Sequence, residues 1–136
     1  MDARTVLIDT SLFIAHIRAR DKTSTLLTRI HERRFTFATS SIVVAELSYG
    51  ARTGAMRAEI TTLLSFTRII PFTEKMAFRL SWEAERLKAK NAMIGFRDLA
   101  IACSALEERL PVATLNRRDF ERVEGLNLVD PAVDAR

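Results

Sequence analysis

Acidic residues placed against apolar segments restrict the fold of this sequence more than any other feature. Four of them, well separated along the chain, lie in or beside runs of apolar side chains. Removing an ionised carboxylate from water is costly unless a cation or several hydrogen-bond donors compensate its charge. A fold that brings the four together would let them share a divalent cation, which indicates metal-dependent chemistry on a phosphate. The four acids are Asp9, Glu46, Asp98 and Asp119.

Short β-like runs alternate with helical stretches, and this alternation predicts an α/β fold. Strands separated by helices form a parallel sheet with helical crossovers, here with four or five short strands flanked by helices. Strands are expected at 5–8, 35–38, 68–71, 112–114 and 126–129. Helices are expected at 11–20, from 22 to about 33, from 41 to about 50, at 56–66, after Glu74, and from about 96 to 109, with a helical turn at 119–122.

Local signals refine the helices. The most periodic one follows Thr73, where apolar side chains recur at positions 76, 80, 84 and 87, and a break is expected at 91–95. Hydroxyl residues are preferred at helix N-caps. The first helix is therefore expected to be capped by Thr10 or Ser11, and the helix that carries Glu46 by Ser40 or Ser41.

The predicted topology brings the four acids to one edge of the sheet. Ligands of open α/β sheets bind outside the carboxyl ends of the strands. Asp9 ends the first strand, and Asp119 follows the strand at 112–114. Glu46 and Asp98 fall in the early turns of helices that start at that edge, where the helix dipole favours negative charge. Taken singly, Asp98 also fits a helix-start acid, and Asp119 also fits an N-cap.

Composition is typical of a soluble globular protein with one domain over residues 1–136. The chain is 48% hydrophobic and 28% charged. No apolar run approaches the roughly 20 residues of a membrane-spanning helix, and the first residues lack a signal-like pattern. The single cysteine, Cys103, cannot form an internal disulfide, so a reducing cytoplasm is the expected compartment.

The positive charge is mostly arginine. The chain has a net charge of +4, and the segment 18–34 holds six basic residues against two acidic ones. Guanidinium groups suit bidentate contact with phosphate, and beside an acidic metal site they favour a nucleic-acid ligand. A solvated helix surface is the alternative. Candidates for RNA contact are Arg18, Arg20, Arg29, Arg33, Arg34, Arg117 and Arg118.

Four segments around the acids resemble those of PIN-domain ribonucleases, and closely those of the VapC-type toxins of type II toxin–antitoxin pairs. Order and spacing match over nearly the whole chain. Two positions depart from the pattern: Phe96 stands where some members carry a further acid, and Leu115 where a polar or basic residue is usual. The matching segments are LIDTS at 7–11, VAELSYGA at 44–51, IGFRDLAIA at 94–102 and TLNRRDF at 114–120.

The resemblance implies a three-layer PIN-like fold and a metal-dependent endoribonuclease toxin. Asp9, Glu46 and Asp98 would hold Mg²⁺ or Mn²⁺, with Asp119 completing the site through water or a second metal. Thr10 and Asn116 would orient a carboxylate or the attacking water, although an N-cap and a turn residue are their structural alternatives. Cleavage would leave a 5′-phosphate and a 3′-hydroxyl. Transfer, ribosomal and messenger RNA are all candidate substrates.

Partners also follow from the resemblance. A toxin requires a cognate antitoxin, expected to place a helix in an apolar groove and an Arg or Lys in the acidic pocket. A homodimer is implied as well. The aromatic side chains Phe66, Phe78 and Trp82 are expected in the core or at the dimer surface rather than stacked on bases, and Cys103 is expected in the core.

Two other functions remain open. A metal-dependent phosphoryl-transfer protein also clusters acids at strand ends, but the haloacid-dehalogenase type needs a second Asp where this chain has Ser11. A receiver domain needs a Lys where this chain has Asn116. The other alternative is a catalytically silent PIN-like module that binds RNA or a protein. It is disfavoured because all four acids are present.

Overall fold

Four strands form one parallel sheet in the structure, a computed structural model that describes residues 4–129. The strands are β1 (Arg4–Ile8), β2 (Phe35–Ser40), β3 (Thr67–Ile70) and β4 (Val112–Ala113). Their spatial order is β3-β2-β1-β4, so β1 lies between β2 and β4. The α/β fold and its parallel sheet of four strands are therefore confirmed.

The prediction of a fifth strand at 126–129 is wrong. Residues 126–129 make only an isolated parallel bridge between Val112 and Leu128. The backbone N–H of Val129 donates to the Val112 carbonyl at 2.9 Å, and the N–H of Val112 donates to the Asn127 carbonyl at 2.9 Å. Because β4 itself is two residues long, it offers no further ladder to this segment.

Within residues 4–129, seven α-helices connect and cover the strands. They are α1 (Thr10–Arg18), α2 (Leu26–Glu32), α3 (Ser41–Gly50), α4 (Gly54–Ser65), α5 (Glu74–Ala89), α6 (Phe96–Glu108) and α7 (Arg117–Phe120). The break at 91–95 is confirmed, and so is the Ser40 cap, whose hydroxyl accepts the backbone N–H of Ile42 at 3.0 Å. None of the helices within residues 4–129 is both long enough and apolar enough to cross a membrane.

The helices expected at 56 and 119 start two residues earlier, at Gly54 and Arg117, and two other helices are capped differently from the prediction. The helix expected from 22 begins instead at Leu26, because Thr25 caps it and Asp21 caps a separate 3₁₀ turn at Lys22–Ser24. The first helix has Asp9 at its N-cap position rather than Thr10 or Ser11. Asp9 makes no side-chain cap bond, because its carboxylate has other partners in the site described below.

The core lies on both sides of β1 and along α6. Val6, Leu7 and Ile8 are all fully buried, as expected for a central parallel strand covered on both faces. Every residue of α6 from Leu99 to Ala105 is buried. This packing fixes the start of α6, and with it Asp98, relative to the end of β1.

The aromatic residues were predicted less well. Phe66, Phe78 and Trp82 are 70%, 71% and 59% exposed, so they do not lie in the core, and the dimer surface stays a prediction for them. Phe78 and Trp82 lie four residues apart on one exposed face of α5, where the guanidinium of Arg86 stacks on the Trp82 ring. Cys103 is buried as expected, and burial raises the pKa of its thiol to about 12.

Candidate active site

Asp9 is the most buried of the four acids, with 3% of its surface exposed at the carboxyl end of β1. The hydroxyls of Ser11 and Thr114 both donate to its Oδ2 atom, at 2.8 and 2.7 Å. No hydrogen bond to Oδ1 is formed by residues 4–129. The two hydroxyls thus compensate one oxygen of this carboxylate and leave the other for a ligand.

Glu46 lies in the second turn of α3 and is held from two sides. The hydroxyl of Thr10, the first residue of α1, donates to its Oε1 atom at 2.9 Å. The Nη1 atom of Arg97 lies 3.0 Å from its Oε2 atom. Both oxygens are therefore occupied by donors from elements that meet at the carboxyl edge of the sheet.

Asn116 joins the other two acids. Its side-chain amide donates to Oδ2 of Asp98 at 2.8 Å and to Oδ2 of Asp119 at 3.1 Å. Its own backbone N–H donates to the Thr114 hydroxyl at 2.9 Å, which in turn donates to Asp9. One chain of hydrogen bonds therefore runs from Asp9 through Thr114 and Asn116 to Asp98 and Asp119.

The pKa of Asp98 is shifted by burial and by the other three acids. Burial raises the pKa of the Asp98 carboxyl, and the neighbouring charge of Asp9 raises it further. The hydrogen bond from Asn116 acts in the opposite direction, while Asp119 and Glu46 add smaller increases. Asp98 thus lies within electrostatic range of the other three acids. The acidic pocket is the name used for these four side chains together.

The pocket is not arranged as a preassembled metal centre. Among residues 4–129, no three His, Cys, Asp or Glu side chains converge closely enough to form a metal-binding cluster. Donors separate the acids: Arg97 occupies Glu46, and the Asn116 amide lies between Asp98 and Asp119. The donor set nevertheless fits Mg²⁺ or Mn²⁺, since carboxylate and hydroxyl oxygens are the ligands these hard cations prefer.

Comparison with known proteins agrees with this geometry. The family model described as "PIN domain" matches residues 6–126, a range that includes all four acids. The chain belongs to the PIN-domain family. It is 35% identical to Ribonuclease VapC2 of Rickettsia felis over 97 residues, which cover 68% of this chain and 72% of that protein. It is 34% identical to Ribonuclease VapC10 of Mycobacterium tuberculosis over 121 residues, 89% of this chain and 90% of that protein.

The fold of this PIN domain is also that of solved structures. The crystal structure of VapBC2 from Rickettsia felis, bound to a DNA fragment from their promoter, matches with a TM-score of 0.80 and 28% identity. The match covers 92% of this chain and 97% of that chain. The predicted PIN-like architecture is confirmed.

Three side chains of the site were missed by sequence reasoning. Ser11 and Thr114 bind Asp9, and Arg97 binds Glu46. Ser11 had a signal, since it stands two residues after the acid in the Asp-Thr-Ser segment of the PIN pattern. Thr114 and Arg97 are next to predicted strand and helix ends, but nothing local in the sequence indicates which acid each one contacts.

The basic segment at 18–34 lies away from the acids in this PIN domain. Arg18 ends α1, and α1 starts at the site and runs back along the sheet for nine residues, about 13 Å. Arg33 and Arg34 precede β2, at the amino ends of the strands. The structure therefore does not bring this group to the pocket: Arg18, Arg20, Arg29, Arg33 and Arg34.

Two further arginines predicted to contact RNA lie near the site, and they differ in whether the guanidinium already has a partner. The Nη1 atom of Arg117 donates to the Val129 carbonyl at 2.6 Å, and its Nε atom lies 3.8 Å from Glu121. Arg118 is exposed and forms no ion pair or side-chain hydrogen bond within residues 4–129. Of the two, Arg118 has the guanidinium available for a ligand.

Proposed function

We propose that the protein is an endoribonuclease toxin of a toxin–antitoxin pair. The grouping of four acids around Asp98, at the carboxyl edge of the sheet of a PIN domain, carries this proposal, because such a site suits a cation that binds a phosphodiester. Relatives that are named Ribonuclease VapC support RNA as the substrate.

The acids would hold Mg²⁺ or Mn²⁺. Asp9, Glu46 and Asp98 are the proposed ligands, and Asp119 completes the site. When bound, such a cation lowers the pKa of a water molecule and neutralises charge on the scissile phosphate. Hydrolysis of the phosphodiester is proposed to leave a 5′-phosphate and a 3′-hydroxyl.

The uncharged side chains position these carboxylates. Thr10 fixes one oxygen of Glu46, and Ser11 and Thr114 fix one oxygen of Asp9. Asn116 holds Asp98 and Asp119 in a common orientation. Hydrogen bonds of this kind set the direction of a ligand oxygen, and their loss typically weakens metal binding or activity.

Metal-dependent cleavage is the first prediction. The purified protein, freed of antitoxin, should cut single-stranded or looped RNA with Mg²⁺ or Mn²⁺ and should stop when EDTA removes the cation. Excess Mn²⁺ added after EDTA should restore cleavage, which controls for irreversible unfolding. Cleavage that continues at full rate in EDTA would contradict the metal site.

The phosphoryl-transfer alternative fits the geometry less well. The haloacid-dehalogenase type requires an acid at the position of Ser11, and here Ser11 donates its hydroxyl proton to Asp9. Incubation with acetyl phosphate should therefore leave Asp9 unmodified, as intact-protein mass spectrometry would record.

The cognate antitoxin is proposed to use an apolar cavity and the acidic pocket. A cavity of about 210 Å³ opens between α1, α2, β2 and α4, and it suits the apolar face of a helix. The solved VapBC2 complex of Rickettsia felis supports the existence of such a partner. The cavity is lined by His16, Leu27, Thr28, His31, Phe37, Leu63 and Phe66.

Two further expectations belong with this proposal. The homodimer stays a prediction, and the exposed Tyr49, Phe78 and Trp82 are side chains that its interface would bury. The cytoplasm is the proposed compartment, because Cys103 is a free buried thiol and RNA is the proposed substrate.

RNA affinity should depend on Arg118 more than on Arg117. In an Asp9→Asn background that prevents cleavage, Arg118→Ala should lower the slope of log affinity against log salt by about 0.7, the value for one contact with a single-strand phosphate. Arg117→Ala is the matched control, because Arg117 already binds the Val129 carbonyl. Equal slopes for the Arg118 variant and its parent would place the RNA path elsewhere.

A further inference from the structure

We infer that Arg97 is a displaceable internal counterion of the acidic pocket. It holds Glu46 while no divalent cation is bound, and it binds an RNA phosphate once a cation has taken Glu46 over. This inference rests on the proposed metal-dependent cleavage of RNA and assigns a specific residue to substrate binding.

The contact between Arg97 and Glu46 is asymmetric. The Arg97 side chain is 72% exposed, whereas that of Glu46 is 20% exposed and is also fixed by the Thr10 hydroxyl. The guanidinium can therefore leave the contact with little cost to the fold, and Glu46 keeps its position when it does. An ion pair with one partner this exposed is weak and easily replaced.

Arg97 is also the one cation that touches the acids within residues 4–129. No other Lys or Arg there forms an ion pair within 4.0 Å of any of the four carboxylates. Arg97 precedes Asp98 in the first turn of α6, so its backbone is anchored by a buried helix while its side chain reaches across the pocket to α3.

Exchange follows from the charges. A divalent cation held by Asp9, Glu46 and Asp98 would compete with the guanidinium for the Glu46 carboxylate and would repel it. The released side chain would remain next to Asp98 in the first turn of α6, where it could bind a phosphate held at the acids. A guanidinium offers up to two parallel hydrogen bonds to a phosphate, which makes it a good binding group for that phosphate.

The test is a pair of measurements on Arg97→Gln that should change in opposite directions. For the antitoxin-free and RNA-free protein, calorimetry should record Mn²⁺ affinity raised about fivefold, because the variant lacks the competing charge. At saturating Mn²⁺, the KM for an RNA substrate should rise about tenfold with a smaller change in kcat, because one charged phosphate contact is lost. Arg97→Lys should fall between the variant and the parent in both measurements.

Arg68→Gln is the matched control. It removes another exposed arginine from an ion pair, with Glu108 at 3.9 Å, at the end of α6 opposite to Asp98. Its Mn²⁺ affinity and its KM should equal those of the parent. This variant separates a local contact from a general effect of net charge, and circular dichroism of both variants reports their folding.

Two results would overturn the inference alone: unchanged Mn²⁺ affinity in Arg97→Gln, or a KM equal to that of the parent, while the parent cleaves RNA only with metal. A parent protein that binds no Mn²⁺ and cleaves in EDTA would instead overturn the proposed function, and the inference with it. Tighter Mn²⁺ binding together with a raised KM supports the exchange.

Discussion

Asp98→Asn is expected to reduce RNA cleavage by about a thousandfold or more, equivalent to the loss of about 4 kcal/mol of transition-state stabilisation. The amide keeps the shape of the side chain and its contact with Asn116, but it removes the charge of a proposed metal ligand. Single-turnover cleavage at saturating Mn²⁺ measures the loss. Activity equal to that of the parent would remove Asp98 from the site.

The same variant should be more stable than the parent when no metal is present. Burial and the charge of Asp9 raise the pKa of Asp98 above its ordinary value of 3.8. Between pH 3.8 and the raised pKa, the folded state therefore binds more protons than the unfolded state. Stability therefore falls as pH rises through this window, and the penalty is complete above the raised pKa. Asn carries no charge and removes the penalty.

Thermal unfolding tests this expectation. In EDTA at pH 7 the Tm of Asp98→Asn should exceed that of the parent, and the difference should vanish below the ordinary pKa of an aspartate. Excess Mn²⁺ should raise the parent's Tm more than the variant's. Asp21→Asn is the control of opposite sign, because hydrogen bonds from Thr23 lower the pKa of the exposed Asp21. A lower Tm for Asp98→Asn in EDTA would contradict the crowding of like charges.

The location of the acids at one edge could be predicted because the carboxyl ends of parallel strands all lie at the same edge of the sheet. Residues 6–8 are apolar without alternation, as in a strand buried on both faces, and the next residue, Asp9, has to leave the sheet at its carboxyl end. Once helices are placed between parallel strands, every acid at a strand end or helix start falls at that edge. The prediction needed only the order of elements, not their contacts.

The contacts within the site needed the three-dimensional structure. Thr114 binds Asp9 across 105 residues of sequence because β4 pairs with β1, and no local pattern predicts which strands are neighbours. The arginine-rich segment shows the converse. Its many basic residues are evident in the sequence, but their number does not predict which edge of the sheet they occupy. The topology places Arg33 and Arg34 at the amino ends of the strands.

Local competition explains the split of the predicted helix at 22–33. Asp21 accepts the Thr23 N–H and hydroxyl, which closes a short turn, and Thr25 then accepts the Thr28 N–H as a new N-cap. Two good capping residues four positions apart each start their own helical segment. An N-cap residue such as Asp21 or Thr25 is compatible with one long helix or with two short ones, so periodicity alone could not distinguish the two structures.

Asn116→Ala should lower Mn²⁺ affinity and cleavage by about 10- to 100-fold, the usual effect of losing a residue that orients metal ligands. The truncation removes the single amide that holds both Asp98 and Asp119, so the two carboxylates lose their shared donor and repel each other. Calorimetry with Mn²⁺ and cleavage assays measure the two effects.

Variants at two positions distinguish orientation from charge. Asn116→Asp keeps the size of the side chain but replaces the donor with a fifth negative charge, so it should lower the metal-free Tm more than Asn116→Ala does. Asn127→Ala is the matched control, because Asn127 is exposed and contributes its backbone carbonyl to Val112, which alanine retains. If Asn116→Ala binds Mn²⁺ and cleaves RNA as the parent and Asn127→Ala do, then the amide has no positioning role and Asp98 and Asp119 are held by the fold alone.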